Sequence, residues 1–367
     1  MFSKTVFSAI QNRENYLYFS SFAYGLLILS TLVLLSDRIS PASFWLAGFV
    51  APLAPFVYVV NMVLAIYYLF TRSYRLVLVG IVLIIGLPII QETYQRNSNL
   101  LPVTDASFRV LSYNVGFFSV PTVFSEQYRS PDYNLRVADA INWLEQNDAD
   151  IICLQEFFDD EESTIFNTVE KLTGASDYRH HFVYKDQVKN RTRRGLIILT
   201  KFPIINRGTV FTSANNYNGA IYADVKTPQG VVRVINTHLE SMKLGSQKNI
   251  IGILRAYKNG VVVHAHQSNQ LEAFVSKSTP PVILCGDLNE TPYSYVYRQL
   301  VNKMHNAFEE KGNGFGFTYQ GERLTFLRID HQFSGPAFNI HNYTTHNEVS
   351  FSKHLPIEAS YSLRSAN

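Results

Sequence analysis

Asp287 and Asn289 stand two residues apart just past an apolar run, Pro281-Val282-Ile283-Leu284-Cys285. The run reads as a short buried strand that stops at Gly286. Residues two apart on extended chain point the same way, so a carboxylate and an amide project together from the strand's carboxyl end. Similar endings recur. Asn114 closes the alternating stretch that begins at Phe108, and Glu156 closes Ile151-Ile152-Cys153-Leu154-Gln155. His238 follows Val231 to Thr237, the second arm of a hairpin turned at Pro228-Gln229-Gly230. Asp330 ends a further strand, and His354 opens the last one, which runs from Glu358 to Leu363. One strand-end His or Asn is usually a turn former or a satisfied hydrogen-bond partner. A succession of them predicts one site at one edge of a sheet, where open α/β sheets bind ligands.

These residue types match the needs of phosphate-ester hydrolysis. A hard divalent ion takes oxygen ligands, and Glu156 can supply one with help from Asn114. Such an ion neutralises charge that builds on phosphoryl oxygens. Asp287 can orient and deprotonate a water, and a histidine tuned by a carboxylate can act as acid, base or phosphate donor near neutral pH.

The elements that must hold these groups belong to a domain beginning near residue 107. A helix is expected over Leu135 to Gln146, with Leu135, Ala138, Ile141 and Leu144 on one face. An apolar strand spans Gly195 to Thr200, and Lys243 to Lys277 turns helical towards its end. Ahead of this domain the composition is different. Leu17 to Ser36, Ser40 to Thr71 and Leu76 to Gln91 contain no acidic or basic residue. Three membrane helices over residues 1–94 are expected, then a polar linker over 95–106, then a soluble domain over 107–367. Lys4, Arg13, Arg72 and Arg75 would share one side, so the positive-inside bias puts the N-terminus in the cytoplasm and the large domain on the outer, periplasmic side of a bacterial-type inner membrane. The third run is short, and if it fails to span, the domain is cytoplasmic. Charge-free runs argue against a transport path.

Composition excludes little else. The net charge of +3 over 367 residues does not demand nucleic acid. The two cysteines, Cys153 and Cys285, sit in apolar strands and suggest neither a disulfide framework nor a zinc site.

The order Tyr113-Asn114, Gln155-Glu156, Asn236-Thr237-His238-Leu239, Gly286-Asp287-Leu288-Asn289, Ile329-Asp330 and Ser352-Lys353-His354-Leu355-Pro356 resembles the endonuclease/exonuclease/phosphatase superfamily. That group includes deoxyribonuclease I, abasic-site endonucleases, inositol polyphosphate phosphatases and bacterial sphingomyelinases. The resemblance runs from about Phe108 to the C-terminus. It implies an α/β fold, a four-layered α/β/β/α sandwich of two packed sheets, and a hydrolase dependent on Mg²⁺ or Mn²⁺. Carried onto this chain, it makes Glu156 the principal metal ligand with Asn114 beside it, and Asp287 the group that positions water. Asn289 would hold the phosphate, Asp330 would orient His354, and His238 would donate to the phosphate or assist the leaving group. The expected substrate is a phosphodiester, either nucleic acid or a phospholipid or sphingolipid headgroup.

One position departs from the family. Lys353 stands where an aspartate usually supports the metal. Either Lys353 binds the substrate phosphate, or the site is weakened and the chain is a non-catalytic, membrane-anchored binding protein. Arg194, in a basic stretch with Arg191 and Arg193, and Arg328, near Arg323, are further candidates for substrate contact against a default of solvated side chains. His264 and His266 have the spacing of a metal pair, but exposure on a helix or loop is the expectation. Core packing is the expectation for the aromatic run Phe315-Gly316-Phe317-Thr318-Tyr319.

Overall fold

In the computed structural model, the structure describes residues 23–97, 107–119, 131–174, 178, 180–183, 187–188, 192–213, 218–242, 247, 249–321 and 326–364. Two mixed sheets pack face to face. The seven-stranded sheet runs in the order Phe338–Thr345, Ile357–Leu363, Phe108–Asn114, Ile151–Asp160, Thr192–Thr200, His180–Val183, with Gln187–Val188 also paired to Thr192–Thr200. The six-stranded sheet runs His305–Asn306, Asp330–Ser334, Val282–Asp287, Gly230–His238, Gly219–Thr227, Ile204–Thr212.

Strand alternation explains the layers. Val110, Cys153 and Ile198 point into the space between the sheets, where they meet Ile221, Val234 and Ile283. Their neighbours Leu111, Ile152 and Ile197 point outwards, onto Val137, Ile141 and Leu144 of the helix Pro131–Gln146. The outer face of the second sheet, with Ile235 and Leu284, is covered by Leu271 of the helix Ile250–Ser276 and Leu300 of the helix Tyr295–Val301. The result is the expected α/β/β/α order. Buried polar side chains fix how the sheets face each other. Gln155 donates to Asn236 Oδ1 at 2.7 Å, and Asn236 donates to the carbonyls of Leu154 and Ile197, both at 2.8 Å. Buried hydrogen bonds of this kind favour one arrangement of a core.

Before the sandwich, residues 23–34 are helical, and the helical stretch Trp45–Phe70 is long and apolar enough to cross a membrane. Arg75–Ile85 and Leu87–Thr93 reach that length only together, as a pair bent by 46°. Gly86 and Pro88 account for the bend, because proline removes a backbone donor and clashes with the preceding turn. Residues 17–22 of the first apolar run lie outside the described residues. One apolar helix of spanning length, not three, is therefore present among the described residues.

The helical segment is docked on the sandwich. Arg298 donates to Asp37 at 2.6 Å and to Glu92 at 3.5 Å. Thr93 and Tyr293 share a hydrogen bond of 2.9 Å, and Gln95–Arg96 pairs as a short strand with Asn313–Gly314. The expected linker thus begins as part of the domain.

Candidate active site

Strand register assembles the site. His238 and Asp287 are partners on adjacent parallel strands, and Asp330 is the partner of Asp287 on the other side. Three chemically active side chains therefore stand in a row at one edge of the six-stranded sheet. Asp330 opens its strand, whereas the sequence suggested that it closes one, because Asp330–Ser334 runs antiparallel to Val282–Asp287. Gly286 lets the neighbouring strand come close. Its φ is +141°, and a Cβ there would lie 1.8 Å from the Thr237 carbonyl oxygen.

The other sheet contributes Asn114 and Glu156. Glu156 does not end its strand, which continues to Asp160 through a register shift between Leu154 and Phe157. In that irregularity Glu156 takes a φ of +48°, an uncommon conformation that turns its side chain out of the ladder. Asn114 crosses between the sheets and donates from Nδ2 to Asp287 Oδ2 at 2.9 Å and, more weakly, to Glu156 Oε1 at 3.5 Å. His238 Nε2 is 3.5 Å from the same Asp287 oxygen and 3.8 Å from Glu156. His354 Nε2 approaches Asp287 Oδ2 to 3.7 Å.

Asp330 orients His354. It accepts from Nδ1 at 2.9 Å and from Thr318 Oγ1 at 2.7 Å. Burial pushes the Asp330 carboxyl up. Burial also works against the charged form of His354, but the Asp330 and Asp287 carboxylates outweigh it and push its pKa up to about 9. His354 is thus a cation near neutral pH, available as a proton donor or a charge for a phosphoryl oxygen.

Oxygen-rich donors and clustered carboxylates fit a hard divalent ion. Glu156 is the accessible acid, 28% exposed, while Asp287 is 2% exposed. Asp287, Asp330 and His354 also bring candidate ligand atoms within 4.8 Å of one another. That set suits an ion less well, because Asp330 is engaged with Thr318 and His354. Asn114 presents its amide nitrogen to the carboxylates, while its Oδ1 accepts from Gly116 N–H at 3.0 Å. In this arrangement it holds the acids in place.

Asn289 also serves the acid beside it. Its backbone N–H donates to Asp287 Oδ1 at 2.8 Å and its Nδ2 to the Leu239 carbonyl at 3.0 Å. An amide carries a second hydrogen on that nitrogen, which is the donor left for a phosphate. Lys353 is exposed beside His354, at the rim.

One cationic candidate lies elsewhere. Arg328 is buried with its guanidinium 3.9 Å from the Phe308 ring centre, and it donates to the Glu92 carbonyl. It braces the helical segment and does not enter the site. Arg194 pairs with Phe158, beyond the irregularity that carries Glu156.

Several contributors escaped the sequence. Thr318 and Tyr319 were grouped with core aromatics, yet Thr318 bonds Asp330 and the Tyr319 ring sits 4.9 Å from that of His354. His264, expected on an exposed surface, is fully buried. Its Nδ1 meets Glu290 Oε1 at 2.7 Å and its Nε2 meets the Glu240 carbonyl, so it joins the loops after Asp287 and His238. Glu290 follows Asn289 directly, which is the one local signal that could have pointed to it. His266 is exposed, so the two histidines do not form a metal pair.

A domain of unknown function matches residues 16–93. The chain is similar to an endonuclease/exonuclease/phosphatase family protein from Bacteroides thetaiotaomicron, with a TM-score of 0.51 at 16% identity, covering 71% of this chain and 100% of that one. A Bacteroides vulgatus relative gives 0.50 at 14% identity, covering 70% and 99%. Sphingomyelinase C from Streptomyces griseocarneus gives 0.49 at 18%, covering 69% and 99%. At such identities the likeness concerns the fold. No curated protein matches the chain in sequence. The profile of the Endonuclease/Exonuclease/phosphatase family matches residues 111–354, two thirds of the chain, and the chain belongs to that family.

Proposed function

We propose that this protein is a membrane-anchored, divalent-metal-dependent phosphoesterase that hydrolyses a phosphodiester. The observation that carries this reading is the convergence of Asn114, Glu156, His238, Asp287, Asp330 and His354 from both sheets on one buried edge. Glu156 would hold Mg²⁺ or Mn²⁺, and when bound the ion neutralises phosphoryl charge. Asp287, held by Asn114 and the Asn289 N–H, aligns a water and takes its proton. His238 and the His354 cation face the phosphoryl oxygens and the leaving group. Lys353, at the rim, offers a charge to the phosphate.

The helical segment supports attachment to a bilayer. The ends carrying Asp37 and Glu92 contact the sandwich, while the turn with Arg72 and Arg75 lies at the opposite end. A cytoplasmic N-terminus and a catalytic domain on the outer side follow if positive charge stays inside. A phosphodiester presented at the membrane surface suits this placement better than a freely diffusing one. Extracellular nucleic acid is the alternative substrate, and a binding protein with a decayed site is the alternative class.

The test is hydrolysis by the purified full chain in vesicles with Mg²⁺ or Mn²⁺. Substrates are a chromogenic phosphodiester, DNA, RNA, sphingomyelin and phosphatidyl lipids, with Asp287→Ala alongside. Activity lost in the variant and in chelator supports the reading. Activity that persists in chelator sinks the metal mechanism, and no activity on any substrate favours the binding protein.

A further inference from the structure

The eight large hydrophobic residues described as exposed beyond residue 97 are unevenly placed. They are Ile205, Ile250, Ile251, Leu254, Val263, Phe315, Phe317 and Phe326. All but Ile205 and Val263 fall on two flanks, and each flank adjoins the helical segment.

The first flank is the start of the helix Ile250–Ser276. Ile250 and Ile251 are 66% and 67% exposed. One or two turns further on, the helix packs on the beginning of Trp45–Phe70. Tyr257 donates to the Gly48 carbonyl at 3.0 Å and packs edge-on against Phe49, with ring centres 5.5 Å apart. Gly48 permits this contact, since a Cβ there would lie 3.0 Å from that of Val261. Lys258 lies over the Trp45 ring at 5.6 Å, and Arg255 is exposed nearby.

The second flank adjoins Tyr94, just past the last helix of the segment. Tyr94 and Phe315 are in edge contact at 5.2 Å, Phe315 stacks on Phe317 at 5.3 Å, and Phe317 meets Phe326 at 6.4 Å. Exposed apolar residues gathered this way mark an interaction surface.

We infer that both flanks rest in the lipid interface, so that the catalytic domain itself binds the bilayer on either side of its anchor. The inference rests on the membrane reading above. Its occupant is the lipid surface because the first flank packs on the start of the exposed apolar stretch Trp45–Phe70, and the second adjoins Tyr94 at the end of the segment's last helix. Trp45, Tyr94 and Tyr257 are the aromatic types that favour this level, and Arg255 and Lys258 suit anionic headgroups. The second flank leads to the catalytic edge, because Thr318 and Tyr319 follow Phe317 directly and touch Asp330 and His354. A phosphate ester with an apolar tail would then enter from the membrane side.

The experiment uses the full chain in phosphatidylcholine/phosphatidylglycerol vesicles. Single cysteines are introduced by Ile251→Cys, Phe315→Cys, Ile66→Cys and Arg207→Cys and labelled with an environment-sensitive fluorophore. The native Cys153 and Cys285 are buried and stay unlabelled. These four side chains are at the surface, so folding is not at stake. Labels at 251 and 315 are expected to shift to the blue and to lose most emission to a lipid-borne quencher, like the label at 66. The label at 207 should respond to aqueous iodide. Iodide quenching at 251 or 315, with lipid quenching at 66, overturns the two-flank contact and leaves the anchor standing. Iodide quenching at 66 overturns the anchor and this inference with it.

Discussion

The Nδ1 atom of His354 lies 2.9 Å from one carboxylate oxygen of Asp330 and 3.1 Å from the other. Burial alone would strip the proton from His354, yet the facing carboxylates raise its pKa from the ordinary 6.5 to about 9. A raised histidine contributes stability that is fully present below the unfolded value and is lost as pH rises through the folded value. The melting temperature should therefore fall between about pH 6.5 and 9, and His354→Gln should flatten that slope. In the pH–rate profile, the alkaline limb should move to lower pH in Asp330→Asn. An unmoved limb would detach His354 from Asp330.

Asp287→Asn keeps the shape of the side chain but not its basicity. The turnover rate should fall roughly a hundred- to ten-thousand-fold, the usual contribution of a positioned general base. Circular dichroism should show a native fold. Wild-type turnover on the chromogenic diester would remove Asp287 from the role.

Lys353→Asp restores the acid usual in the family at the rim. With Lys353 serving the phosphate, the variant should raise KM while the metal concentration for half-maximal activity falls. A change in neither would assign Lys353 no part in binding.

Both ring nitrogens of His264 face acceptors, so both carry protons, and the ring is a buried cation paired with Glu290. Burial works against this charge, but Glu290 prevails and raises the pKa. Glu290→Gln removes the counter-charge and should cost about 3–5 kcal/mol, read by denaturant unfolding. Replacing both residues by leucine should cost less than Glu290→Gln alone. The reverse ranking would show that the pair stabilises the fold beyond its own neutralisation.

Gly286→Ala should be among the most damaging single-methyl changes in the chain, at about 3 kcal/mol or more. Both the backbone angle and the Thr237 carbonyl oppose the new methyl. Soluble, wild-type-like yield and melting would refute the close approach.

Legibility in the sequence followed the reach of the interaction. Alternation in Val110 to Tyr113 and Ile151 to Leu154 is a local property and announces both faces of a sheet. The strand ends at His238 and Asp287 were visible because their apolar runs stop there. The strand of Glu156 reads as too short, since nothing local announces a strand that bulges and resumes. Arg328 looked available because charge alone cannot show that Phe308 and Glu92 enclose it. His264 looked exposed because its partners, Glu240 and Glu290, come from two distant loops. Phe315 and Phe317 passed for core because hydrophobicity does not say which apolar phase it meets.

The contacts of Arg298 also carry a consequence in time. Asp37 lies 261 residues before Arg298, and Glu92 lies 206 before it. During synthesis both acids emerge long before their common partner, and chains fold from the N-terminus as they appear. The helical segment must therefore wait, with two carboxylates uncompensated, until the helix Tyr295–Val301 has been made, while the strands Asp330–Ser334, Phe338–Thr345 and Ile357–Leu363 are still to come. Chains truncated before residue 298 would lack the counter-charge that this arginine supplies, and quality-control proteases would find the same segment open in every one of them.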